Sequence, residues 1–137
     1  MIRKLLQNLP FFLFLCLLGS GVTVRAQSAC PSAFPVAAPA DPQLRSLEIN
    51  RLQPQAAACL KRADYYAYLG QLLLLQERYA DALEALERSL LLDGSQLDVQ
   101  LDYVLGLAKT GDQQSARALA KQVLERPDAP PAMRDAL

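Results

Sequence analysis

The side chains with the most chemical potential in this 137-residue chain fall in three groups. They are two cysteines, Cys30 and Cys59, a carboxylate run at Asp81, Glu84 and Glu87 beside Arg88, and three close tyrosines, Tyr65, Tyr66 and Tyr68. Histidine is absent, which removes the commonest general base and the commonest metal ligand together. Acid–base work by the carboxylates would require a nucleophile or a glycine loop beside them, and neither accompanies the run. Their i, i+3 and i, i+4 spacing reads instead as a solvated helix face with weak ion pairs. The tyrosines would suit stacking on bases or sugars, but Tyr66 falls on an apolar helical face and reads as core, which leaves Tyr65 and Tyr68 free. On this basis no catalytic residue, metal site or cofactor is assigned, and the chain reads as a non-enzyme.

The cysteines admit three readings. One disulfide between Cys30 and Cys59 would tie a proline-rich tail to the segment before the main helices. Lipid attachment at Cys30 is the second, although Gln27, Ser28 and Ala29 before it include no apolar residue three positions upstream. Two free thiols are the third. The remaining cysteine, Cys16, lies in the apolar leader described below.

The elements that must position these groups are helical. Apolar or small residues recur at Tyr66, Leu69, Gly70 and Leu73, the spacing of one helical face. After a break at Glu77 and Arg78, a second stripe follows at Tyr79, Leu83, Leu86 and Leu90, with Asp81, Glu84, Glu87 and Arg88 between its members. Gly70 inside an apolar face costs about 1 kcal/mol against alanine, so it implies a close helix approach, and Ala82 on the second helix has the same logic.

Residues 63–96 resemble one tetratricopeptide (TPR) repeat. The motif is carried by Tyr66, Leu69-Gly70, Leu73, Ala82, Leu86, Ser89 and the turn Asp93-Gly94. Residues 97–130 repeat it at the expected period of ~34 residues. There the turn is Gly111-Asp112, and Ala116, Ala120 and Val123 share one face beside Leu119 and Leu124. Leu107 falls where Leu73 fell. The second repeat departs at its aromatic and Leu-Gly positions, which hold Gln100 and Tyr103-Val104, while a Leu105-Gly106 pair comes two residues late. The expected fold is all-α: antiparallel helix pairs of a short TPR solenoid, with a leading helix and a disordered N-terminal tail. Its packing residues are Tyr66, Leu69, Gly70, Leu73, Ala82, Leu86, Ala116 and Ala120.

The resemblance implies a partner-binding groove lined by the first helix of each repeat. It comprises Asp64, Ala67, Tyr68, Gln71, Leu74 and Leu75, then Asp98, Leu101, Asp102, Leu105, Ala108 and Lys109. That surface is apolar with acidic edges, and it lacks the Lys, Arg and Asn clamp by which chaperone-binding TPRs hold a terminal carboxylate. An apolar helix or strand from a protein partner is the matching ligand, with Leu74 and Leu101 as anchors. The alternative is that residues 44–60 of the chain itself cover Leu74, Leu75 and Leu105.

Residues 1–26 carry Arg3 and Lys4, the apolar run 11–18 and Val24-Arg25-Ala26, the pattern of an export signal cleaved after Ala26. The run is far short of the ~20 residues that span a bilayer. Removing Arg3, Lys4 and Arg25 takes the basic residues from 14 to 11 against 14 acidic ones. A mildly acidic chain without a basic cluster points away from nucleic acid and anionic lipid as partners. No small-molecule substrate is implied either.

Residues 27–42 form a tail in which Pro31, Pro35, Pro39 and Pro42 are spaced too closely for a helix. The leading segment 43–62 predicts a short amphipathic helix through Leu44, Leu47, Arg51 and Leu52, interrupted at Pro54, then another turn or two over 56–60. It would either cap the exposed end of the first repeat or fill the groove as a peptide.

At the other end, residues 131–137 read as the start of a further helix, with proline suited to its first turn, and the chain reads as cut short. Together with the phrase LERPDAPPAMR, the export signal and short TPR block resemble the periplasmic N-terminal part of outer-membrane proteins such as the surface lipoprotein assembly modifiers. That implies an exported, periplasmic adaptor or docking module for an outer-membrane or envelope protein. The alternatives are a truncated N-terminal domain of such a barrel protein and a structural homodimer.

Overall fold

The computed structural model describes residues 29–131. The expected export signal at 1–26 and residues 132–137 of the expected final helix lie outside them. Five helices make an all-α fold, with no strand among the described residues: α1 (Pro42–Leu52), α2 (Ala63–Leu75), α3 (Tyr79–Leu92), α4 (Leu97–Thr110) and α5 (Gln113–Leu124). None of them is long and apolar enough to cross a membrane.

α1 begins where Asp41 caps it. The Asp41 carboxylate accepts the N–H groups of Gln43 at 2.7 Å and Leu44 at 3.2 Å, while Pro42 occupies a position whose N–H would find no helical partner. The helix stops at Leu52, and a single 3-10 turn, Gln53–Gln55, accommodates Pro54. The helix expected over 56–60 does not form. Residues 56–58 turn instead, and this delivers Cys59 to Cys30, to which it is bridged with the Cα atoms 5.1 Å apart. The bridge spans 29 positions, and closing a loop of that length stabilises the fold by about 3 to 4 kcal/mol in the chain-entropy model. It fits an oxidising compartment.

The remaining helices form two antiparallel pairs in one frame. α2 and α4 start 34 residues apart, at Ala63 and Leu97, and so do α3 and α5, at Tyr79 and Gln113. The turns obey the same interval. Glu77 has φ 59° and Gly111 has φ 93°, and these are the positive-φ residues among the described ones. In both turns the following N–H groups reach back to end the helix. Arg78 donates to Leu73 O at 2.9 Å and Glu77 to Leu74 O at 2.9 Å, while Asp112 donates to Leu107 O at 3.0 Å and Gly111 to Ala108 O at 3.3 Å. This is the left-handed cap that glycine adopts without cost and glutamate at about 1 kcal/mol or more.

Helices pack in chain order from α2 to α5, with α2 also touching α4. The α2–α3 contact rests on Gly70, where an added Cβ would stand 2.6 Å from Leu86 Cγ and 3.3 Å from its backbone N. Leu86 and Ala82 on α3 are fully buried, and Leu86 contributes about 1.5 to 3 kcal/mol by leaving water. Ser89, also fully buried, donates its hydroxyl to Ala63 O at 2.8 Å, so its polar atom is satisfied within the core.

The described part of the tail, residues 29–41, has no regular structure, as its prolines dictate, yet it is laid along α2. Phe34 meets the rings of Tyr65 at 5.7 Å and Tyr68 at 6.2 Å. Ala38 N–H donates to Gln71 Oε1 at 3.1 Å, and Gln76 Nε2 donates to Pro42 O at 2.6 Å. The segment therefore runs parallel to α2. α1 then returns antiparallel to it, and Tyr65 donates its hydroxyl to Leu52 O at 3.0 Å.

Candidate functional groove

The groove positions named from the sequence divide into two halves. On α2, Asp64 is exposed and paired with Arg62 at 2.6 Å, whose guanidinium holds the Asp64 carboxyl below the usual carboxylate range. Ala67 and Gln71 are half-buried, and Gln71 already accepts the tail's N–H. Tyr68 and Leu74, expected on the open surface, are buried at 5% and 7% exposure. Tyr68 lies beneath Phe34, and Leu74 faces Gly106 of α4, whose missing Cβ would stand 3.6 Å from its Cδ2.

Tyr65 and Tyr66 exchange the places expected of them. Tyr65, expected to be free, is fully buried, while Tyr66 is only half-buried, edge-on to Tyr65 at 4.9 Å and beneath the Arg88 guanidinium at 5.5 Å. The tail and α1 cover the α2 face that carries Tyr65 and Tyr68. A cleft of about 400 Å³ is lined by Tyr66, Leu69 and Leu73 together with Arg78, Asp81 and Glu84.

On α4, Asp98 and Lys109 are exposed, Leu101 and Asp102 are half-buried, and Leu105 is 47% exposed. A cleft of about 200 Å³ joins the two halves. Its floor is Ala67, Tyr68 and Gln71, its tail-side wall is Phe34 to Val36, and its far wall is Asp98, Val99 and Asp102. Leu101, Leu105 and Lys109 lie outside that lining. Burial pushes the Asp102 carboxyl up to about 6, and the neighbouring Asp98 charge adds to the shift. The cleft thus offers a mixed lining, with Phe34, Ala67 and Val99 beside the Gln71 amide and the Asp98 and Asp102 carboxylates, and no Lys or Arg. Such a surface holds an extended chain by a side-chain anchor and by its backbone N–H groups.

Sequence reasoning missed Phe34 and Ala38, through which the tail docks on α2, and Arg62, which helps to hold it. Arg62 donates to Pro31 O and Ser32 O, each at 3.0 Å, and stands 5.6 Å over the Phe34 ring. The available signal was the pairing of Cys30 with Cys59, since a bridge there must carry Phe34, the one aromatic residue of 27–42, back to the helices. Of the packing positions named from the sequence, Gly70, Leu73, Ala82, Leu86 and Ala116 are buried and Tyr66, Leu69 and Ala120 are half-buried. Among the described residues no group of His, Cys, Asp and Glu could hold a metal ion. Set against family models, curated proteins and solved structures, the chain matches none.

Proposed function

We propose that this chain is an exported TPR protein-interaction module that serves as an adaptor or docking scaffold in the cell envelope, in the periplasm, and performs no catalysis. The observation that carries the reading is the shared frame of the two helix pairs, in which helix starts and left-handed turns recur at the same 34-residue interval. Paired helices in that frame present their first members, α2 and α4, along one surface. The open part of that surface is the α4 half, with Leu105 exposed between Leu101 and Lys109, together with Leu75 at the end of α2, so residues 44–60 do not cover these two leucines. The partner is a protein of the envelope or outer membrane.

The test is a photoreactive residue at Leu105 in exporting cells, with the same residue at Leu91, which is 79% exposed on α3, as the reference position. A discrete adduct with one envelope protein from Leu105, absent from Leu91 and lost on Leu101→Asp, supports the adaptor. Equal labelling from both positions would overturn it. An adduct at twice the chain's own mass would replace the adaptor with a homodimer.

A further inference from the structure

The α2 half of the groove is already occupied, and its occupant is held as a peptide ligand is held. Phe34 supplies an aromatic anchor against Tyr65 and Tyr68. Ala38 supplies a backbone N–H to Gln71 about one turn of helix further on, and the carbonyls of Pro31 and Ser32 accept from Arg62. An anchor in a pocket with backbone hydrogen bonds to either side is how grooves read extended segments. Val36, between the anchor and Ala38, is completely exposed, so the segment docks through one side only. Pro35 and Pro39 exclude a helix here and remove N–H groups that would otherwise need partners, and the chain bends at Val36 and Ala37 between them.

We propose that residues 31–41 are an intramolecular ligand strapped into the α2 half of the groove by the Cys30–Cys59 disulfide. Reduction of that bridge opens this half to a non-helical partner segment bearing an aromatic residue followed by proline and small residues. This rests on the reading of the groove as a protein-binding surface and names the ligand class and the control for one half of it.

The reductant is a dithiol of the thiol–disulfide oxidoreductase class. Cys59 is fully buried and Cys30 is partly exposed, so the attacking thiolate reaches Cys30 Sγ. A mixed disulfide forms there and the Cys59 thiolate leaves. The second thiol of the reductant then displaces Cys30, closing the reductant's own disulfide. Two electrons and two protons pass to the two cysteines. The strap remains joined to α1 through Asp41, so it still competes from a local concentration on the order of millimolar. Reduction alone therefore opens the site only in part, and loss of the Phe34 anchor opens it further.

The probe is a fluorescent peptide of residues 31–41, PSAFPVAAPAD, titrated by anisotropy into the full chain. The oxidised chain shows no saturable binding, the reduced chain binds, and reduced Phe34→Ala chain binds at least tenfold more tightly than reduced wild type. The same peptide with alanine in place of its phenylalanine does not bind. A reduced Phe34→Ala chain that keeps its helical circular dichroism yet fails to bind the probe overturns the proposal. So does loss of the helical signal on reduction, because the bridge would then hold the fold rather than gate a site. Leu105 lies on α4, outside the strap, so its crosslinking is a separate readout. Probe failure with Leu105 capture intact sinks the strap alone, and Leu105 failure with probe binding intact sinks only the adaptor.

Discussion

Tyr65, Tyr68 and Leu72 on α2 have their 34-residue counterparts in Val99, Asp102 and Gly106 on α4, yet the two sets meet different neighbours. The first faces an irregular strap and the end of α1, which leave space that two aromatic rings and Phe34 fill. In the second, Gly106 faces an already packed helix pair, where an added Cβ would stand 2.8 Å from Leu83 Cδ2, while Val99 and Asp102 line the cleft opposite the tail. Register fixes which face a residue joins, and the neighbour fixes its size. The same trade occurs inside the pairs. Gly70 against Leu86 in the first pair is answered by Val104 and Ala120 at the corresponding positions of the second, so bulk moves from one helix to the other.

The largest expected break in this comparison comes from the bridge, because only the first face depends on it. Cys30→Ser/Cys59→Ser should lower unfolding stability in urea by about 3 to 4 kcal/mol. Hydrogen exchange should quicken at α2 before α4, and equal loss of protection would show that the strap does not hold that face. The glycines come next. Gly70→Ala should cost about 1 to 3 kcal/mol despite alanine's better helix propensity, because Leu86 is fully buried and meets the new Cβ through Cγ and backbone. Gly106→Ala should fall within about 1 kcal/mol of neutral, since the contact is the tip of a half-buried Leu83. Chemical denaturation of both variants checks the order, and a reversal would mean that the first pair is the looser one.

The smallest effect is at Asp102. Its carboxyl titrates at about 6 in the fold against 3.8 unperturbed, so folding favours its protonated form. Stability is therefore lost as pH rises between those values and stays lost above them. Asp102→Asn should gain about 1 kcal/mol at pH 7.5, after discounting for solvent screening, and nothing near pH 3.5. A gain that persists at low pH would point to packing rather than charge.

The helix pairs were legible because their contacts are periodic: Leu69, Gly70 and Leu73 mark a face whatever lies against it. Gly106 was legible as a small residue but not as to its role. Read as a displaced Leu-Gly, it serves instead the contact with Leu83. The strap was least legible, because a coil that crosses 30 residues to meet a helix leaves no periodicity in the sequence. Tyr65 and Tyr68 looked free for that reason, since the partner that buries them lies in a segment whose composition announces only the absence of helix.

The bridge also decides how the molecule carries tension. A pull on the chain before Cys30 passes through sulfur to Cys59 and on through Arg62 into α2 at Ala63. The strap, α1 and the 3-10 turn hang as a slack loop beside that line and bear no load. While the disulfide is intact, mechanical force on the tail would strain the start of α2 and leave the Phe34 contact undisturbed. Once it is reduced, the same force would break the Arg62 bonds to Pro31 and Ser32 first, then peel Phe34, and reach α1 only after the strap had lifted.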